Sequence, residues 1–165
     1  MIETAVECYT PAMSTRALHF LKQKRVPHEV VKYVHQEKGA EFAARAVGFP
    51  LSQTIKTLVV ELDGRNFVLA LMPGDCQLSL KKIAAACGAK RAAMAEIADA
   101  ERLTGYLVGG ISPFATQKPL KVVMEAALKA HPEVMINAGQ RGTMIKMQPA
   151  DIIDTLKAGI AEIAV

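Results

Sequence analysis

Apolar residues recur along this chain in two rhythms, one helical and one alternating, and together they predict a mixed sheet surrounded by helices. Ser14 or Thr15 is placed to cap a helix reaching about Arg25, with Ala17, Leu18, Leu21 and Val26 on its buried face and Pro27 ending it. Residues 28–34 alternate as a strand does. Ala40–Val47 reads as a short helix stopped by Gly48 and Pro50. Ile55–Leu62 and residues 66–72 flank Asp63-Gly64-Arg65, and the Asp-Gly step suits a hairpin turn. Ser79 caps a helix over residues 80–87, ended by Gly88. The alanine-rich segment 92–103 reads as helical, and residues 106–108 as a short buried strand. Strands follow at 121–124, 134–137 and Thr143–Met147, the last two joined by a turn over 138–142. Pro149 then opens a final helix reaching about Lys157. Helices interspersed with antiparallel hairpins argue for an α+β or mixed α/β domain and against a regular βαβ repeat.

Composition narrows this picture. At 165 residues with 51% hydrophobic content, the chain is one domain with a real core, residues 14–165, preceded by a loosely attached extension over 1–13. No apolar run reaches the length of a membrane span, and the first residues lack a basic start and a long apolar core, so no membrane or secretory role is expected. Cys8, Cys76 and Cys87 are odd in number and show no CxxC spacing; His19, His28, His35 and His131 are scattered. Neither a disulfide framework nor a metal site is expected, and a reducing cytoplasm fits. The net charge of +4 permits a nucleic-acid partner without demanding one. With no Trp and few aromatics, a platform stacking several bases is improbable, so any RNA contact should be small, such as one strand end.

Two segments carry candidate chemistry. In 104–114, TGYLVGGISPF, Gly109 and Gly110 leave the backbone unscreened, and Pro113 stiffens the end of the loop. Such a loop can hold a ligand through main-chain groups, although an ordinary tight turn fits the same glycines. In the strand Ile55–Leu62, alternation puts Lys56 on the face of Leu58, Val60 and Leu62, with Ile55, Thr57 and Val59 on the other. With both faces largely apolar the strand reads as central, and Lys56 either snorkels to solvent or enters a cleft as a functional cation. Ser112 does not read as a nucleophile: position 114 is Phe where GxSxG needs Gly, and Pro113 lacks the N–H an oxyanion hole would use. Walker and Rossmann patterns are absent. Lys81, Lys82, Lys90 and Arg91 form one basic band, and Lys118, Lys121, Arg141 and Lys146 are spread over the last third. They read as a solvated surface or as phosphate contacts, with Arg141 in its glycine-flanked turn able to present a guanidinium fork.

Taken together, IKTLVV at 55–60, MPGDCQLSLKKIAAACGAK at 72–90, TGYLVGGISPF at 104–114 and GQRG at 139–142 resemble the YbaK/EbsC family, free-standing relatives of the editing domain of bacterial prolyl-tRNA synthetases. The resemblance spans about 14–165. It implies a mixed β-barrel-like sheet flanked by helices, and a cofactor-free hydrolase that clears wrong amino acids from tRNA in trans, with the acceptor end of tRNA, chiefly tRNA-Pro, as partner and prolyl-tRNA synthetase as a possible second one. It implies a catalytic role for Lys56 and substrate contacts at Tyr33, Thr57, Gly109, Gly110, Ile111, Ser112, Pro113, Asn137 and Arg141. The physics fits: one methylene is worth only about 1–3 kcal/mol of discrimination, so a synthetase pocket needs a second, hydrolytic sieve. The chain departs from the family pattern where a Ser-Gly-Gly-Lys-Arg-Gly turn becomes Asn137-Ala138-Gly139-Gln140-Arg141-Gly142, where an aspartate becomes Glu125, and where Ala115 replaces a common glycine. These changes leave Cys, Ser, Thr and Ala open as the amino acid removed. A non-catalytic module holding charged tRNA or a synthetase, and a hydrolase of small amino-acid esters, are the competing readings.

Overall fold

The computed structural model describes residues 15–34, 36, 37 and 39–165. The expected extension, the cap at Ser14 and His35 lie outside these. Helix α1 (Arg16–Gln23) starts at Thr15, whose hydroxyl accepts from the Leu18 N–H at 3.2 Å and donates to the Ala138 carbonyl, tying the helix start to the sheet beneath. Strand β1 (Glu29–Lys32) is shorter than its alternation suggests, and α2 (Ala40–Val47) stops at left-handed Gly48 as expected. The β2 (Ile55–Leu62) and β3 (Asn66–Pro73) hairpin turns through Asp63 and Gly64, both at positive φ. Helix α3 (Leu80–Ala86) is capped by the Ser79 hydroxyl.

Two expectations fail here. The segment 92–103 is not one helix: Ala92–Met94 forms strand β4, paired antiparallel with Val60–Leu62, and α4 (Ile97–Thr104) comes after it. Alanine's helix propensity yields to the unpaired edge that β2 offers. Residues 106–108 are not a strand either. No neighbour pairs with them; Tyr106 is buried with its hydroxyl donating to the Phe114 carbonyl at 2.6 Å, while Leu107 is 73% exposed.

The remaining elements are β5 (Lys121–Glu125), β6 (Val134–Gln140), β7 (Thr143–Met147), α5 (Pro149–Leu156) and a strand the alternation did not reveal, β8 (Gly159–Ala161). Strand β6 continues into the predicted turn through a bulge between Asn137 and Gln140. The strands form two sheets, β4-β2-β3-β5-β8 and β1-β7-β6. The first is mixed, since β5 runs parallel to both β3 and β8. A single bridge from Thr54 to Met135 links the sheets, and among the described residues they do not close into a barrel.

Alternation along β2 and β3 divides the interior. Ile55, Val59, Leu69 and Leu71 face the larger core with α1, α4, α5 and the inner residues of β6 and β7. Val60, Leu62, Val68, Ala70 and Met72 face a smaller core closed by Ile83 and Ile163. Helix α2 covers the outer side of the small sheet through Ala43, Met135 and Met144. Glu125, 5% exposed, anchors the last residues: its Oε2 accepts from the Ile163 and Ala164 N–H groups at 2.6 and 2.9 Å. No helix among the described residues is long and apolar enough to cross a membrane.

Candidate active site

Strand β4 pairs with only the last residues of β2, so the first half of β2 stays an open edge beside the small sheet. A cleft of about 420 Å3 lies there, within the usual range for small-ligand sites. Lys56 and Thr57 line one wall, Val108, Gly109 and Ile111 another, and Tyr33 and Asn137 come from the small sheet. Ala95, Ile97 and Ala100 help to make the remaining surface apolar.

Lys56 keeps the predicted alternation, standing opposite Met72 in the β2–β3 register, and is half-buried. Among the described residues its ammonium has no hydrogen bond or ion pair. It lies within electrostatic reach of the Cys76 thiol, yet burial, the Asp75 contact and Glu125 together push that thiol up, so Cys76 is no ready thiolate. The Thr57 Oγ1 beside it is the one buried side-chain polar atom among the described residues without a partner.

The glycine loop is held from both sides. The Arg141 Nη2 donates to the Val108 carbonyl at 2.8 Å, and its guanidinium lies so close over Gly109 that a Cβ there would meet Nε at 2.5 Å. Gly109 has φ +96, and a Cβ on Gly110 would stand 3.1 Å from the Arg141 backbone nitrogen, so the two glycines answer to a bent backbone and a close approach respectively. On the other side Arg16 donates to the Thr104 and Ala115 carbonyls at 3.0 and 2.6 Å and stacks over the Tyr106 ring. The Val108 N–H is spent on Glu101, and that of Gly110 on the Leu107 carbonyl. The N–H groups of Gly109 and Ile111 have no partner among the described residues, and both residues line the cleft.

Not every expected contact residue reaches the cleft. Gly110, Ser112 and Pro113 lie behind it; Ser112 is fully buried and its Oγ accepts from the Phe114 N–H at 3.3 Å. The Arg141 guanidinium, expected to face a phosphate, is turned onto the loop. Asn137 spends its Oδ1 on the Gly139 N–H at 2.7 Å. Burial pushes the Tyr33 phenol above its ordinary value, so at neutral pH it is a neutral hydroxyl. Sequence reasoning missed Arg16 and Glu101, whose basic and acidic side chains brace the loop from α1 and α4. No spacing signal pointed to them: Arg16 reaches the loop from a distant segment, and Glu101, seven residues before Val108, meets its N–H only because α4 turns the chain back. Among the described residues no group of His, Cys, Asp and Glu side chains could hold a metal ion.

Residues 35–155 match the Aminoacyl-tRNA editing domain family. The chain is 31% identical over 151 residues to a candidate Cys-tRNA(Pro)/Cys-tRNA(Cys) deacylase, EbsC, of Enterococcus faecalis, covering 90% of this chain and 92% of that one. It is equally identical over 143 residues to the multifunctional Ser/Thr-tRNA deacylase ProXp-y of Escherichia coli K12, covering 84% of each. The crystal structure of a candidate trans-editing enzyme for prolyl-tRNA synthetase superposes with a TM-score of 0.84 at 24% identity, over 96% of this chain and 99% of that one, a likeness of fold. The family match and the two relatives agree with the geometry of the cleft: the chain belongs to the aminoacyl-tRNA editing domain family.

Proposed function

We propose that this protein is a trans-editing deacylase that hydrolyses the ester joining a small, wrongly attached amino acid to the 3′ end of a tRNA, in the cytoplasm where translation supplies that substrate. The observation that carries the reading is the meeting, in one cleft, of an unpaired lysine and two unspent backbone N–H groups on a braced loop. In the reaction a water oxygen attacks the ester carbonyl carbon, the bond to the ribose oxygen breaks, and that oxygen takes up a proton. The products are the free amino acid and an uncharged tRNA. The Gly109 and Ile111 N–H groups receive the oxyanion that develops on the carbonyl, and one such donor is worth roughly 10²–10³ in rate. Lys56 orients the terminal nucleotide and stabilises charge on the leaving ribose oxygen; its role is positioning and electrostatics, not nucleophilic attack. Thr57 and Asn137 offer polar contacts in an otherwise apolar pocket, and the neutral Tyr33 hydroxyl can donate but cannot serve as a base. A substrate hydroxyl can share the work of activating water.

Relatives are named as deacylases of Cys-tRNA and of Ser- or Thr-tRNA, and part of this chain aligns with proline–tRNA ligases, among them one from Stenotrophomonas maltophilia at 27% identity over 109 residues. They support tRNA-Pro as the substrate and prolyl-tRNA synthetase as a partner that selects it. The test is a panel of tRNA-Pro charged with Cys, Ser, Thr, Ala or Pro. The reading expects hydrolysis of at least one mischarged species, sparing Pro, and its loss in Lys56→Ala with the fold retained. No hydrolysis of any species by folded protein with synthetase added would overturn it in favour of a binding module.

A further inference from the structure

At the far end of β2 from Lys56, the hairpin turn and the ends of neighbouring elements leave two adjoining hollows that share Arg65 and Asn66. One, of about 400 Å3, is completed by Asp63, Lys90 and Arg91. The other, of about 980 Å3, passes Phe67 and Leu120 and carries Lys118, Lys121 and Lys157. All six cations are exposed, and none of their side chains makes an ion pair or hydrogen bond among the described residues. Asp63 is the one acid lining the hollows, and its Oδ1 already accepts from the Lys90 and Arg91 N–H groups at 3.0 and 2.9 Å. Glu61 stands beside the turn without lining either hollow. The groove thus holds six of the chain's twenty basic side chains and one of its sixteen acidic ones; its charge of +5 exceeds the +4 of the whole chain.

Strand β4 connects this groove to the cleft. Lys90 and Arg91 precede its first residue, and Met94 and Ala95 at its other end line the cleft. At about 3.3 Å per residue, Arg91 and Ala95 are roughly 13 Å apart. We propose that the groove is a second RNA-contact surface, holding the sugar–phosphate backbone of the tRNA acceptor arm while the 3′ end occupies the cleft; the proposal rests on the editing reading of that cleft. Unpaired cations strung over several elements suit a run of phosphates, and the cleft's own substrate brings a polyanion to that distance. The contact is sequence-independent, so it adds affinity and register without choosing the tRNA.

The experiment compares wild type with R65Q/K90Q/R91Q and K118Q/K121Q/K157Q, and with a control, K81Q/K129Q, whose exposed lysines line neither hollow. Thermal melts verify folding. Binding of uncharged tRNA is followed by anisotropy across salt concentrations, and hydrolysis is measured on whole aminoacyl-tRNA and on an aminoacylated adenosine, which carries no phosphate to reach the groove. Each groove variant should weaken tRNA binding about tenfold or more at low salt. Each should also flatten the slope of log Kd against log salt by about 2–3, since each lost phosphate contact removes roughly 0.7–0.9. Hydrolysis of the aminoacylated adenosine should not change. Affinity and slope equal to the control's would overturn the proposal. So would unchanged tRNA binding with deacylation lost only when synthetase is added, which assigns the groove to an acidic protein surface. Because the binding arm needs no ester, a protein inert toward every ester that still shows the salt-dependent difference keeps the groove and loses the editing reading.

Discussion

Replacing Arg141 separates two roles for the same cation. In the structure its guanidinium bonds the Val108 carbonyl at 2.8 Å and covers Gly109, so it braces the loop whose Gly109 and Ile111 line the cleft. A hydrogen bond from a charged donor is worth about 1.5–3 kcal/mol. Partial exposure reduces this to about 1–2 kcal/mol, so Arg141→Ala should lower global stability only modestly. Its kinetic effect should be larger. If the loop carries the two proposed oxyanion donors, loosening it forfeits part of the roughly 10²–10³ that one aligned donor supplies, and kcat should fall about 10–100-fold with KM little changed. Arg141→Lys should not restore it, because an ammonium cannot lie flat over Gly109 and reach the carbonyl as the planar fork does. Steady-state deacylation gives kcat and KM, and amide hydrogen exchange over 108–112 reports the loop. A raised KM with unchanged kcat and unchanged loop protection would refute the brace and return Arg141 to the phosphate-binding role its turn suggests.

Three further outcomes rest on named contacts. Ala115 sits at φ +54, where a Cβ is unwelcome, so Ala115→Gly should stabilise by about 0.5–1 kcal/mol in urea unfolding; a destabilised variant would show that the freedom glycine adds to the unfolded chain outweighs the relief of backbone strain. Glu125→Ala strands the buried N–H groups of Ile163 and Ala164 and should cost about 2–4 kcal/mol, read as a lowered denaturation midpoint with early exchange of the C-terminal amides. Burial pushes the Tyr106 phenol above the ordinary tyrosine value of about 10. A raised pKa favours the protonated fold, so this contribution is whole below pH about 10 and is lost as pH climbs through the folded value. Tyr106→Phe should be less stable at neutral pH, lacking the bond to Phe114, but should show a shallower alkaline loss in melts between pH 9 and 11; parallel pH curves would count against the assignment.

Local rules carried much of the fold. The Thr15 and Ser79 caps, the Gly48 stop, the Asp63-Gly64 turn and Pro149 at a helix start depend on contacts within a few residues, and each stands where the pattern predicts. The same is true of Lys56, whose face follows from strand alternation alone. The failures were set by partners distant in sequence. Residues 92–94 became strand because β2 had an open edge, and residues 106–108 did not because their backbone groups bond the Glu101 and Arg141 side chains instead of a neighbouring strand. The family resemblance put Lys56 and the glycine loop in one site; it could not say which loop atoms face it. That depended on two long-range contacts and one nearer one. Arg141 covers Gly109, Arg16 binds both ends of the loop, and Glu101 takes the Val108 N–H, leaving the Gly109 and Ile111 donors unspent. The groove around Arg65 has the same origin: its cations come from four separate stretches of chain, and a one-dimensional charge pattern contains no term for the strand pairing and packing that gather them.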